Sequence, residues 1–103
     1  AILPGINMQL RSMHEHTTLL PLVAFEGQEA QPVGRSTAEC MLSGSARATA
    51  YALEGYLSRL EPQHVLITGG DGAWLHHHID HPSTHCPHLL MEGLNTVTPC
   101  NHH

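Results

Sequence analysis

An aliphatic run, Val65-Leu66-Ile67, passes straight into Thr68-Gly69-Gly70-Asp71-Gly72. β-Branched and aliphatic residues that end at paired glycines read as a buried strand feeding a tight loop. Glycine tolerates positive φ and lets backbone approach a bulky ligand. In open α/β sheets, ligands sit at the carboxyl ends of strands, where such loops lie. The loop alone is a weak sign of a nucleotide site. The bland alternative is a structural turn, with Asp71 capping a short helix after it.

Helical patterns on both sides of this strand give the chain an α/β reading. Pro4-Gly5 turns the chain into a helix in which Ile6, Leu10, Met13 and Thr17 recur at helical spacing. Asn7, Gln9, Arg11, Ser12 and Glu15 are left for water, and the helix ends near residues 16–18. Residues 22–35 contain Gly27, Pro32 and Gly34 and read as a loop. Ser36, with Glu39 three places on, is a capping box that opens a second helix running to about Leu60, before Pro62. Gly44 and Gly55 inside that helix each cost about 1 kcal/mol against alanine, which predicts that something packs close to them. Cys40 reads as a small buried residue of the same helix.

The strand is expected over Gln63–Thr68, a short helix over Ala73–His78, a loop over 79–88, and a last strand at Leu89-Leu90-Met91 with its turn at Glu92-Gly93-Leu94. Ala1-Ile2-Leu3 reads as the end of a strand. Helices between strands favour parallel pairing. Three short strands are few for a free-standing sheet, so these 103 residues read as a piece of a longer protein.

Charge narrows the function. Four arginines, no lysine and nine carboxylates give a net charge of −5. That argues against nucleic acid, whose phosphates need several cationic side chains, and against anionic membranes. No apolar run nears the roughly 18 residues of a membrane span, and no signal-peptide pattern opens the chain. Three widely spaced cysteines, Cys40, Cys86 and Cys100, suggest no disulfide framework and fit a reducing cytoplasm.

Taken in order, Ile2-Leu3-Pro4-Gly5, Thr18-Leu19-Leu20-Pro21, Gly34-Arg35-Ser36-Thr37, Gly44, Thr68-Gly69-Gly70-Asp71 and Glu92-Gly93-Leu94 resemble the C-terminal half of type III pantothenate kinases, the family that includes the Bvg accessory factor proteins. The resemblance runs from residue 1 to about residue 96. It implies the C-terminal, ribonuclease-H-like half of an actin/Hsp70/sugar-kinase type two-domain fold, with a short, mostly parallel sheet packed with helices. Residues 1–103 would then be the adenosine-binding domain, with the N-terminal phosphate-binding domain absent from this chain.

The implied reaction is ATP-dependent phosphorylation of pantothenate to 4'-phosphopantothenate in coenzyme A synthesis. It is implied to need a monovalent cation (potassium or ammonium), with magnesium as a further candidate, and to be carried out by a cytoplasmic homodimer. By this resemblance Thr68, Gly69, Gly70, Asp71 and Gly72 bind nucleotide, and Gly72 stands where the family usually has alanine. Arg35 and Thr37 contact substrate, Thr37 as the polar contact; a salt bridge at the helix start is the alternative for Arg35. The family's catalytic Asp and both phosphate motifs match nothing in this chain, so the chain alone is expected to be inactive.

Eleven histidines carry a rival reading. His76, His77, His78, His81, His85 and His88 crowd one stretch with Cys86 and Asp80. His77, His81 and His85 are spaced by four, which on a helix would face one metal ion. Pro82 opposes a continuous helix, no defined zinc pattern is present, and a solvated loop is the simpler reading. The alternatives to a kinase are therefore a His-rich metal-binding module or a catalytically degenerate regulatory member of the family. Trp74 reads as packing, and His14 and His16 as solvated.

Overall fold

The computed structural model describes residues 1–79, 83–85 and 101–102, in two compact units, Ala1–Ala52 and Leu53–His103. In the first unit, α1 spans Ile6–Glu15. Gly5 is its N-cap in an extended conformation, and its carbonyl accepts from Gln9 N–H at 3.0 Å. Ile6 and Leu10, one helical turn apart, are fully buried, as their spacing predicts. Two residues assigned to water instead make tertiary contacts. The Asn7 side-chain amide brackets one peptide of the following loop, donating to Phe25 O at 2.9 Å and accepting from Phe25 N–H at 2.7 Å. This is how a loop without regular structure keeps its backbone groups satisfied beside a helix. Gln9 donates to Pro4 O and to Thr49 Oγ1, each at 3.0 Å.

The second predicted helix forms but is not uniform. It consists of α2 (Thr37–Leu42), a π-helical turn (Ser43–Arg47) and α3 (Ala48–Leu60). Helix α1 packs on the π-helical turn, and Phe25, Ala30, Met41, Leu42, Ala46 and Ala50 complete the buried apolar set of this unit. Arg47 fastens the loop to the turn, with Nε on Ala30 O at 2.9 Å and Nη2 on Glu29 Oε1 at 3.0 Å. The close packing expected at the two helix glycines is not found. A Cβ at Gly44 would meet nothing within 4 Å, and at Gly55 only the flexible tip of Arg59, at 3.4 Å. Cys40 is exposed rather than buried.

In the second unit, α3 ends at Leu60 as predicted, and Glu61 follows in the left-handed region at φ 45°. Strand β1 covers only Leu66–Ile67, shorter than the Gln63–Thr68 expected. Helix α4 runs Gly72–His78, one residue longer at its start than expected. β2 (Thr84–His85) lies in the stretch read as loop, and β3 (Asn101–His102) in the tail. The sheet order is β1-β2-β3. Leu66 pairs with Thr84 in parallel and Thr84 with His102 antiparallel, so α4 sits in the crossover between two parallel strands, as a β–α–β unit requires. Ile67, Trp74, Leu75 and Ile79 are buried here. Residues 1–3 form no strand. The expected strand at Leu89-Leu90-Met91 and turn at Glu92-Gly93-Leu94 lie outside the described residues.

Candidate functional site

The start of α2 is built by local chemistry. Ser36 is its N-cap, extended at φ −142° and ψ 167°, and its Oγ accepts from Glu39 N–H at 3.1 Å. The Glu39 carboxylate reaches back in turn, but to Arg35 N–H at 3.4 Å and to the Ser36 hydroxyl at 3.4 Å. The reciprocal half of the capping box is thus displaced one residue upstream of its usual target, the N-cap amide. Gly34 lies against the first turn. A Cβ there would stand 2.4 Å from Cys40 N and 2.6 Å from Glu39 C, both backbone atoms. Only glycine admits this approach.

Two hollows meet at this helix start. One, of about 690 Å³, is lined by Met13, Leu20, Gly34, Arg35, Ser36, Thr37, Cys40 and Met41. The other, of about 670 Å³, is lined by Gln31, Pro32, Val33, Arg35 and Glu39. The structure therefore brings Arg35 and Thr37, both singled out from sequence, into one groove. Its walls are apolar at Met13, Leu20 and Met41. Its polar groups are the Ser36 and Thr37 hydroxyls and the Arg35 guanidinium, the one formal charge lining it. Among the described residues, neither the Thr37 hydroxyl nor the Arg35 guanidinium has a hydrogen-bond or ion-pair partner. Such a surface suits a small anion with an apolar body and a hydrogen-bonding group.

Met13, Leu20 and Cys40 were not legible as lining residues. Met13 carries helical periodicity and Cys40 was read as buried from its residue type, and neither signal says which hollow a side chain borders. The one available signal for Leu20 was its place in Thr18-Leu19-Leu20-Pro21.

Thr68–Gly72 form their own turn in the second unit. Gly69 adopts φ +101°, and its carbonyl accepts from Gly72 N–H at 3.2 Å. Glycine is required at that φ, since other side chains are strained there. Asp71 occupies the N-cap position of α4, and its carbonyl accepts from Leu75 N–H at 3.1 Å. Its carboxylate makes no cap hydrogen bond, so the simple capping role is not the one it plays.

Two of the clustered histidines are held by the fold of this unit. His76 is buried with Nδ1 2.7 Å from Ser83 Oγ. His78 donates from Nδ1 to Trp74 O at 2.7 Å and stacks on the Trp74 ring at 4.0 Å. No group of three or more His, Cys, Asp or Glu is placed to hold a metal among the described residues. His81 and the side chain of His85, needed with His77 for the metal alternative, lie outside them. No helix of the described residues is long and apolar enough to cross a membrane.

Comparison with known proteins converges on one family. The sequence model of the type III pantothenate kinase family matches residues 1–59, the stretch that contains α1, the groove and α3 up to Arg59. The chain is 35% identical to the type III pantothenate kinase of Synechococcus sp. (strain JA-2-3B'a(2-13)) over 91% of its length. It is 36% identical to that of Synechococcus elongatus over 94%, and 27% identical to that of Flavobacterium psychrophilum over 94%. The chain belongs to the type III pantothenate kinase family. It spans 41 to 42% of the length of these relatives.

Proposed function

We propose that the full-length protein carrying this chain is an ATP-dependent pantothenate kinase of coenzyme A biosynthesis, and that these residues are the C-terminal, ribonuclease-H-like half of a two-domain, actin/Hsp70/sugar-kinase type fold. The groove at the start of α2 takes pantothenate. The observation that carries this reading is the meeting of Arg35 and Thr37 on an apolar-walled groove within the segment that matches the family. Pantothenate is a carboxylate with a branched apolar body and two hydroxyls. Met13, Leu20 and Met41 complement the body, Thr37 supplies a hydrogen bond, and Arg35 supplies the opposite charge.

Thr68, Gly69, Gly70, Asp71 and Gly72 receive the adenosine part of ATP, where glycine backbone lets the nucleotide approach. Phosphoryl transfer needs phosphate-positioning groups and a group to orient the attacking hydroxyl. None is matched by these 103 residues, which alone turn over no pantothenate. The full-length protein works as a cytoplasmic homodimer and uses potassium or ammonium, with magnesium accompanying ATP. The comparisons name type III pantothenate kinases and give the rival metal-binding module no support.

Kinetics of the full-length protein test the groove. Thr37→Val removes the hydroxyl and keeps the shape. The KM for pantothenate is expected to rise about five- to tenfold, the worth of one hydrogen bond, with the KM for ATP unchanged. Thr37→Ser restores it. An unchanged pantothenate KM in Thr37→Val removes Thr37 from the substrate site. Failure of the unsubstituted protein to phosphorylate pantothenate contradicts the activity itself.

A further inference from the structure

The π-helical turn Ser43–Arg47 is rare local structure, and such turns recur at functional sites. Its side chains form a polar relay that crosses the first unit. Gln9 Nε2 donates to Pro4 O and to Thr49 Oγ1, each at 3.0 Å. Thr49 Oγ1 donates to Ser45 O at 2.7 Å. Ser45 Oγ donates to Met41 O at 2.8 Å, with a longer approach to Leu42 O at 3.4 Å. Ser45 is fully buried, and Thr49 and Met41 are buried beside it. Met41 is a wall of the groove. At the other side of the turn, Ser43 Oγ donates to Pro32 O at 2.7 Å, and Pro32 lines the second hollow.

We propose that Ser45 and Thr49 are positioning residues for the groove: their hydroxyls hold the π-helical register and thereby set Met41 and the first turn of α2 against the bound substrate. The physical reason is the changed backbone pairing. In the turn, Ala48 N–H is shared between Ser43 O and Ser45 O, a five-residue and a three-residue spacing instead of the four of an α-helix. A π turn carries one residue more than an α turn, so relaxing it rotates everything on its N-terminal side by about 100° relative to α3. The residues so rotated are Thr37, Cys40 and Met41. Side-chain hydroxyls that reach carbonyls one turn back are a known way to hold a helix off its regular path. Ser45 does so on Met41 O, and Thr49 does so on Ser45 O. Gln9 anchors the relay to α1 and to the Pro4 carbonyl.

This inference rests on the groove being the pantothenate site, and its test separates the two claims. In the full-length protein, Thr49→Val keeps the shape and deletes the hydroxyl, Thr49→Ser keeps the hydroxyl, and Ser45→Ala deletes the hydroxyl bound to Met41 O. Expected for Thr49→Val and Ser45→Ala is a rise of about five- to tenfold in the KM for pantothenate, with the KM for ATP unchanged. Thr49→Ser is expected to behave as the unsubstituted protein. A merely structural role would lower the melting temperature and leave both the KM of the folded fraction and the Cys40 alkylation rate where they were, and that combination overturns the proposal.

A second readout needs no kinase activity. Cys40 is exposed and lines the groove, so its alkylation rate without substrate, followed on its own peptide by mass spectrometry, reports the orientation of α2. The rate is expected to change at least severalfold in Ser45→Ala and Thr49→Val and not in Thr49→Ser. Altered alkylation with unaltered pantothenate KM refutes the groove as substrate site and leaves the register device standing. Unaltered alkylation in both hydroxyl-deleting variants refutes the register device.

Discussion

Gly34→Ala is expected to disable the groove. The added Cβ would stand 2.4 Å from Cys40 N, 2.6 Å from Glu39 C and 2.8 Å from Cys40 Cα. All three are backbone atoms of a capped helix, so no side-chain rotation relieves the contact. Either the 33–35 segment moves away from α2 or the first turn of α2 unwinds. Both displace Arg35, Ser36 and Thr37 together. Overpacking in a close-packed region costs about 1–3 kcal/mol, and rigid neighbours place this case at the upper end. In the full-length protein the KM for pantothenate should rise by about a hundredfold or more, because a misplacement near 1 Å can cost that much. Steady-state kinetics check this, with amide exchange over residues 34–42 reporting the loosened helix start. Unchanged kinetics and exchange would show that the close approach is not a feature of the folded protein.

Leu10→Ala carries the second large effect. Leu10 is 0% exposed, and with Ile6 it forms the buried stripe of α1. Removing three carbons from a fully packed site costs about 2–5 kcal/mol, from lost transfer energy and the cavity left behind. Met8, on the same helix but 63% exposed, is the matched comparison. Its change to alanine should stay within about 0.5 kcal/mol. Exchange protection of the α1 amides gives the opening free energy directly, without assuming a single unfolding transition for a structure of two compact units. A Leu10→Ala protein as protected as Met8→Ala would mean that α1 is not seated as described.

What was legible in the sequence is what is decided locally. The stripe Ile6–Leu10 follows from a helical period, and the Ser36–Glu39 cap from two side chains competing for orphan amides three residues away. The start of α4 after the glycine turn follows from Gly69 alone, which at φ +101° breaks the strand. Long-range effects were not legible. The π-helical turn is flanked by hydrogen bonds of the Ser45 and Thr49 hydroxyls and of Gln9, forty residues from Thr49, and a serine in a helix has no pattern that announces them. Cys40, assigned to the core from its residue type alone, is exposed, because residue type does not say which face of a helix a position occupies. The tight glycine proved to be Gly34, which was read as part of a loop and of the family motif but not as a packing glycine, while Gly44 and Gly55 are open. Composition flagged glycine but not the surface each one meets. β2 and β3 are two residues each and exist through pairing, which the strand propensity of Thr84-His85 or Asn101-His102 does not encode.

The same division applies to the site. Arg35 and Thr37 were singled out through the resemblance of Gly34-Arg35-Ser36-Thr37 to the family's motif, and the structure places both on one groove. Met13 and Leu20 join them only through the fold of α1 and the loop after it.

The central claim is that pantothenate sits in this groove, and protection of Cys40 tests it most directly. In the full-length protein, alkylation of the Cys40 thiol is followed with increasing pantothenate and, separately, with increasing ATP. Pantothenate is expected to slow the reaction to completion of binding, about tenfold or more once the ligand exceeds its dissociation constant by that factor, while ATP alone leaves it unchanged. Alkylation of Cys40 at the same rate with and without saturating pantothenate, in a protein that phosphorylates it, would place the substrate elsewhere.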